Sequence, residues 1–179
     1  MKKTFSLLAL VLALFMMGCN GQTNEGTVSQ QNASPSVAAA QSVPGDNSDP
    51  VHIDKTQFLK LVMNYEKNPT AWVFEGDKPC VIDFYADWCA PCRITSPILD
   101  DLAEQYAGKI NVYKVDIDKE QELAAVFGVQ SIPTFLFCPL DGKPTMSSGI
   151  ANTPAATKAM FVKQIEELLL KKADSSSAI

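Results

Sequence analysis

The stretch that decides the fold is Cys80-Val81-Ile82-Asp83-Phe84-Tyr85-Ala86-Asp87-Trp88-Cys89-Ala90-Pro91-Cys92. Its first six residues form a nearly continuous apolar, β-favouring run, the pattern of a central strand covered on both faces. Asp83 interrupts that run, and a carboxylate inside such a strand is costly without a task or a partner. After the strand, Cys89 and Cys92 stand three apart where a helical pattern begins, with Ile98, Leu99 and Leu102 as its apolar stripe, Pro97 inside it and Tyr106 near its end. The start of a helix offers free backbone N–H groups and a partial positive charge. A thiolate there is stabilised, and a second thiol one turn on can resolve a mixed disulfide. Cys89 is thus expected as the outer nucleophile and Cys92 as the shielded resolver. Half of a zinc site is the competing interpretation of the pair. It needs further ligands, and only Cys80, Cys138 and the single histidine, His52, are on offer, none of them paired.

Working outward, strand and helix patterns alternate from 51 to 172. Val51–Ile53 is a short strand candidate, and Asp54 can cap a helix over Lys55–Tyr65 with Phe58, Leu61 and Val62 on one face. Asn68–Asp77 has no evident task. Downstream, Ile110–Val115 alternates as a strand, and Glu120–Phe127 forms a short helix ending at Gly128. Thr134–Cys138 and Thr145–Ser148 are strands around an Asp141-Gly142 turn. Thr153-Pro154 opens a final helix with Phe161, Val162, Ile165, Leu168 and Leu169 directed inward. This order gives an α/β fold with a mixed central sheet flanked by helices on both faces.

The chain around this domain has a different character. Lys2 and Lys3 precede an apolar run from Phe5 to Met17, too short to span a bilayer comfortably, and Met16-Met17-Gly18-Cys19 resembles a bacterial lipobox. That resemblance implies a lipoprotein signal over 1–18 and a lipidated Cys19; an ordinary secretory signal cut elsewhere is the alternative. It also accounts for one sulfur of an odd count of five. Residues 20–50 carry no apolar side chain larger than alanine except Val28, Val37 and Val43, so 19–50 reads as the lipid-bearing cysteine and a flexible tether. The tether's reach is on the order of 30 Å. Residues 173–179 read as a disordered tail. Without Lys2 and Lys3, 13 basic residues face 20 acidic ones, a net of −7. This excludes a nucleic-acid footprint and electrostatic adhesion to an anionic membrane.

From Asp83 to Arg93 the chain resembles the active-site segment of the thioredoxin family, and the likeness runs over Val51–Lys172. It implies the thioredoxin fold and a redox disulfide between Cys89 and Cys92. Asp83 matches the family's buried general base, which takes the proton of the resolving thiol. Lys114 matches the lysine paired with that aspartate, against the commoner fate of a solvated strand-edge charge. Pro97 matches the family's helix-kinking proline. Ile132-Pro133 matches the cis-proline whose neighbouring backbone receives an extended substrate strand, and Gly149 the glycine of the substrate groove. Trp88 and Pro91 would flank the dithiol as contact surface. The pair between the sulfurs is Ala90-Pro91, where the family commonly has Gly-Pro and where oxidases and isomerases of the superfamily often place a histidine. The resemblance therefore implies a protein-disulfide reductase with no metal and no cofactor. It would be a monomer, held by its lipid anchor on the periplasmic side of a bacterial cell envelope. Its partners would be disulfide-containing proteins and a membrane or soluble electron donor, since no dinucleotide fingerprint is present. A disulfide oxidase or isomerase in the same compartment is the second reading, and a non-turnover binding or assembly module on the same fold is the third. Cys80 and Cys138 are expected across a strand pair, as buried free thiols in preference to a disulfide.

Overall fold

The decisive strand does lie at the centre. In a computed structural model, which describes residues 48–171, Cys80–Tyr85 forms a strand buried along nearly all its length. The expected signal segment, Cys19, the expected tether up to residue 47, Lys172 at the end of the expected domain and the expected tail over 173–179 lie outside the described residues. In chain order the elements are β1 (Val51–His52), α1 (Lys55–Leu61), β2 (Cys80–Tyr85), α2 (Ala90–Gln105), β3 (Asn111–Asp116), α3 (Gln121–Val126), β4 (Thr134–Cys138), β5 (Thr145–Ser148) and α4 (Pro154–Gln164). The sheet order is β1-β3-β2-β4-β5. β1 and β2 pair parallel with β3, while β2–β4 and β4–β5 are antiparallel.

Side-chain alternation along the strands sorts the core into two layers. Val81, Val112, Phe135 and Phe137 pack with α2 and α4; Ile82, Phe84, Tyr113, Val115 and Leu136 pack with α1 and α3. Phe135 meets Phe161 of α4 edge to face at 4.6 Å between ring centroids. By the same alternation Asp83 and Lys114 point to the α2 side. The register sets them side by side on neighbouring strands.

Several expected boundaries move. α1 stops at Leu61, not Tyr65, because Met63 leaves the helix to bridge Phe74 and the Val62 carbonyl accepts the Glu75 N–H. The unassigned segment 68–77 is thereby folded back on the end of α1, with Trp72 stacked on Phe74. Gly76 is required there: a Cβ would lie 2.8 Å from the Leu61 carbonyl oxygen. β1 is shorter than expected, although Ile53 still donates to the Lys114 carbonyl at 3.0 Å. The last helix passes into a π-helical turn over Ile165–Leu170, which buries Ile165 and Leu169 but leaves Val162 and Leu168 only half-buried. Among the described residues no helix is long and apolar enough to cross a membrane.

Cys80 and Cys138 are register partners, fully buried and free. Burial, then contact with Cys138, pushes the Cys80 thiol up and keeps it protonated. With Cys19 replaced and the Cys89–Cys92 bond intact, the native protein should leave both thiols unlabelled and the denatured protein should show two. A denatured count of zero would establish a bond between them.

Candidate functional site

Chain geometry at the end of β2 builds the redox centre. The strand releases the chain at Tyr85, and Cys89 becomes the N-cap of α2 with extended backbone. Its Sγ accepts the Cys92 N–H at 3.2 Å, occupying the place that a Ser or Asp oxygen takes in an ordinary cap. Pro91 enters the first turn at little cost, because its missing N–H would have had no intrahelical partner there. Cys92, one turn inside, closes the disulfide with Cys89, with Cα atoms 5.2 Å apart. This is the oxidised form of the pair. Exposure does not separate the two sulfurs as expected: Cys89 is 3 % and Cys92 4 % exposed. In the closed ring both residues are covered equally. What separates them is the helix, which caps its free N–H groups with Cys89 and encloses Cys92.

Trp88 is 65 % exposed beside the dithiol, and its indole N–H donates to Asp118 at 2.9 Å. This bond fixes an otherwise free aromatic face. Trp88, Ile117, Val129, Ser131 and Ile132 line a shallow apolar cleft. The Ile132–Pro133 bond is cis, and Pro133 is buried. Its loop is braced twice. Gly149, at φ 81°, donates its N–H to the Pro133 carbonyl at 2.9 Å. The Thr134 hydroxyl donates to the Ser131 carbonyl and contacts the Ser148 hydroxyl, both at 2.7 Å. Asp118, Thr134 and Ser148 have no signal in the sequence, since each acts through a contact between distant segments.

Asp83 is fully buried, and neither carboxylate oxygen has a hydrogen-bond partner. Burial raises its pKa to about 7, a rise that the charge of Lys114 opposes. The expected partnership with Lys114 is one of register and charge, without a direct ion pair. Lys114 is adjacent in register, but its ammonium donates to Ser96 Oγ at 2.6 Å and stands 5.0 Å over the Tyr85 ring. Lys114 acts on Asp83 through its field and makes no bond to it. A carboxyl that ionises near neutrality can take and return a proton at ordinary pH. Together with the dithiol, the arrangement can run thiol–disulfide exchange. Among the described residues there is no cluster of three or more His, Cys, Asp or Glu that could hold a metal ion.

Comparison with known proteins agrees with this chemistry. The family model described as Thioredoxin matches residues 56–166. A thioredoxin of Borreliella burgdorferi is 47 % identical over 105 residues, covering 59 % of this chain and 89 % of that protein. A thioredoxin of Haemophilus influenzae is 33 % identical over 117 residues, covering 65 % and 97 %. Among solved structures, chloroplastic thioredoxin z superposes with a TM-score of 0.50 at 27 % identity, covering 66 % of this chain and 95 % of its own. The chain belongs to the thioredoxin family and is a thiol–disulfide oxidoreductase of that type.

Proposed function

We propose that the chain is a protein-disulfide reductase, acting through Cys89 and Cys92 on disulfide-containing proteins on the periplasmic side of a bacterial cell envelope. The observation that carries the reducing direction is the start of α2. There the Cys89 sulfur is held by the helix's own N–H, and only Ala90 and Pro91 stand between the sulfurs. A strong oxidant owes its potential to a reduced form that is heavily stabilised. No cationic residue between the sulfurs adds such stabilisation. Cys89 is the attacking sulfur, Cys92 the resolving one and Asp83 the base. Trp88, Pro91, Ile132, Pro133 and Gly149 make or shape the surface that receives the substrate. A membrane or soluble donor returns electrons to the pair, and the domain works as a monomer.

Equilibration with a glutathione redox buffer tests the direction. A potential near about −270 mV is expected, and one near about −120 mV would make the protein an oxidase. The anchor rests on the sequence alone, namely Lys2, Lys3, the apolar run and Cys19. Labelled palmitate should enter the wild-type protein in growing cells and be lost in Cys19→Ser. Equal labelling of both would remove the tether from the proposal.

A further inference from the structure

Ser96 has no part in the chemistry described so far, yet it receives the one charge nearest the buried carboxyl. It lies one helical turn beyond Cys92 on α2, half-buried, and with Cys92, Tyr85 and Lys114 it lines a crevice on the α2 side of the sheet. Lys114 is the register partner of Asp83, and its side chain leaves the sheet on the same face. Its ammonium is nevertheless not bonded to the carboxylate. Its Nζ is 2.6 Å from Ser96 Oγ, and both Asp83 oxygens remain without a partner.

We propose that Ser96 is a positioning residue for proton transfer at Asp83: by accepting the Lys114 ammonium it draws that cation off the carboxylate and leaves both carboxylate oxygens open to the Cys92 proton. The inference rests on the base role proposed for Asp83. An ammonium bonded to Asp83 would hold it ionised and lower its affinity for the thiol proton. An ammonium held on Ser96 still contributes its field, which opposes the effect of burial without cancelling it. The crevice also carries Asp87 and Arg93, but both are exposed, Arg93 donates to the Asp87 carbonyl at 3.2 Å, and the charge that acts on Asp83 is that of Lys114. Tyr85 projects from β2 and bonds His52 of β1 at 3.1 Å, β4 presents the apolar Phe135, and the buried residues of α4, Thr157 and Phe161, do not titrate. Cys92 of α2 is locked in the disulfide.

The test is the ionisation midpoint of Asp83 in the oxidised protein, followed by the carboxyl carbon shift in 13C NMR. In Ser96→Ala the ammonium loses its acceptor and turns to Asp83. The midpoint should fall by about 1–3 units, the usual effect of a cation placed directly on a carboxylate. The acid limb of the pH–rate profile for insulin reduction should move down with it. Ser96→Thr keeps the hydroxyl and should keep the wild-type midpoint. In a Lys114→Met background, Ser96→Ala should move nothing. An unmoved midpoint in Ser96→Ala, or an equal fall with Lys114 absent, overturns the part played by Ser96. Wild-type turnover in Asp83→Asn would instead overturn the base role itself, so the two failures are separable.

Discussion

Cys89→Ser is expected to reduce insulin disulfides no faster than buffer alone, whereas Cys92→Ser attacks once and stops. The asymmetry follows from where each sulfur stands. Cys89 occupies the N-cap of α2, so once the disulfide is reduced the Cys92 N–H and the helix's positive end should favour a negative sulfur there. That thiolate displaces one sulfur of a substrate disulfide, forming the Cys89–substrate bond and releasing a substrate thiolate. In the proposed second step Asp83 takes the Cys92 proton, and the Cys92 sulfur attacks Cys89. The product is the internal disulfide seen in the structure, and the second substrate sulfur leaves with a proton. A serine hydroxyl at 89 does not ionise near neutral pH, so the first step is lost. A serine at 92 leaves that step intact and removes the second, so the adduct persists. Non-reducing electrophoresis of Cys92→Ser after incubation with insulin should show mixed disulfides that vanish with dithiothreitol. Turnover retained by Cys89→Ser would refute the assignment of the nucleophile.

The sequence makes the centre of this machine legible and its periphery less so, for physical reasons. β2, the dithiol and the start of α2 are encoded in consecutive residues, so apolar run, spacing and cap can be read directly. The facing of Cys80 and Cys138 follows from the strand order that the family resemblance implies, and the structure shows that pairing. Lys114 shows where such reading ends. Its place opposite Asp83 is a matter of register, but its partner is decided by Ser96, whose hydroxyl arrives from α2. Nothing in the spacing of 83, 96 and 114 marks that choice. Likewise the indole bond of Trp88 to Asp118, and the Thr134–Ser148 brace behind Pro133, join residues whose separation carries no period. The early end of α1 is another case. Lys55–Tyr65 has a helical apolar pattern, but pairing of Met63 with Phe74 outweighs local propensity once the chain returns.

Asp83→Asn should stabilise the oxidised protein, and by an amount that grows with pH. The carboxyl ionises near 3.8 when unconstrained and near about 7 in the fold, because burial disfavours the charged form. A difference of roughly three units corresponds to on the order of 4 kcal/mol. A folded-state pKa above the unfolded one means that the native protein binds its proton more tightly. This contribution is therefore fully present at pH below about 4, is lost progressively as pH rises, and is gone above about 7. Asparagine has nearly the same shape as a protonated aspartic acid and no proton to lose. Urea unfolding should then give the wild type and Asp83→Asn similar stabilities at pH 4. By pH 8.5 the variant should lead by on the order of 4 kcal/mol, the whole of the linkage contribution. Parallel stability curves across that range would mean that Asp83 titrates normally, and the proposed base would lose its basis. The same substitution should slow turnover, because no group remains to take the Cys92 proton. Stability and chemistry thus make opposite demands on one side chain. A carboxyl placed where it weakens the fold at neutral pH, in the central strand and with no bond to either oxygen, is best understood as retained for the proton it moves.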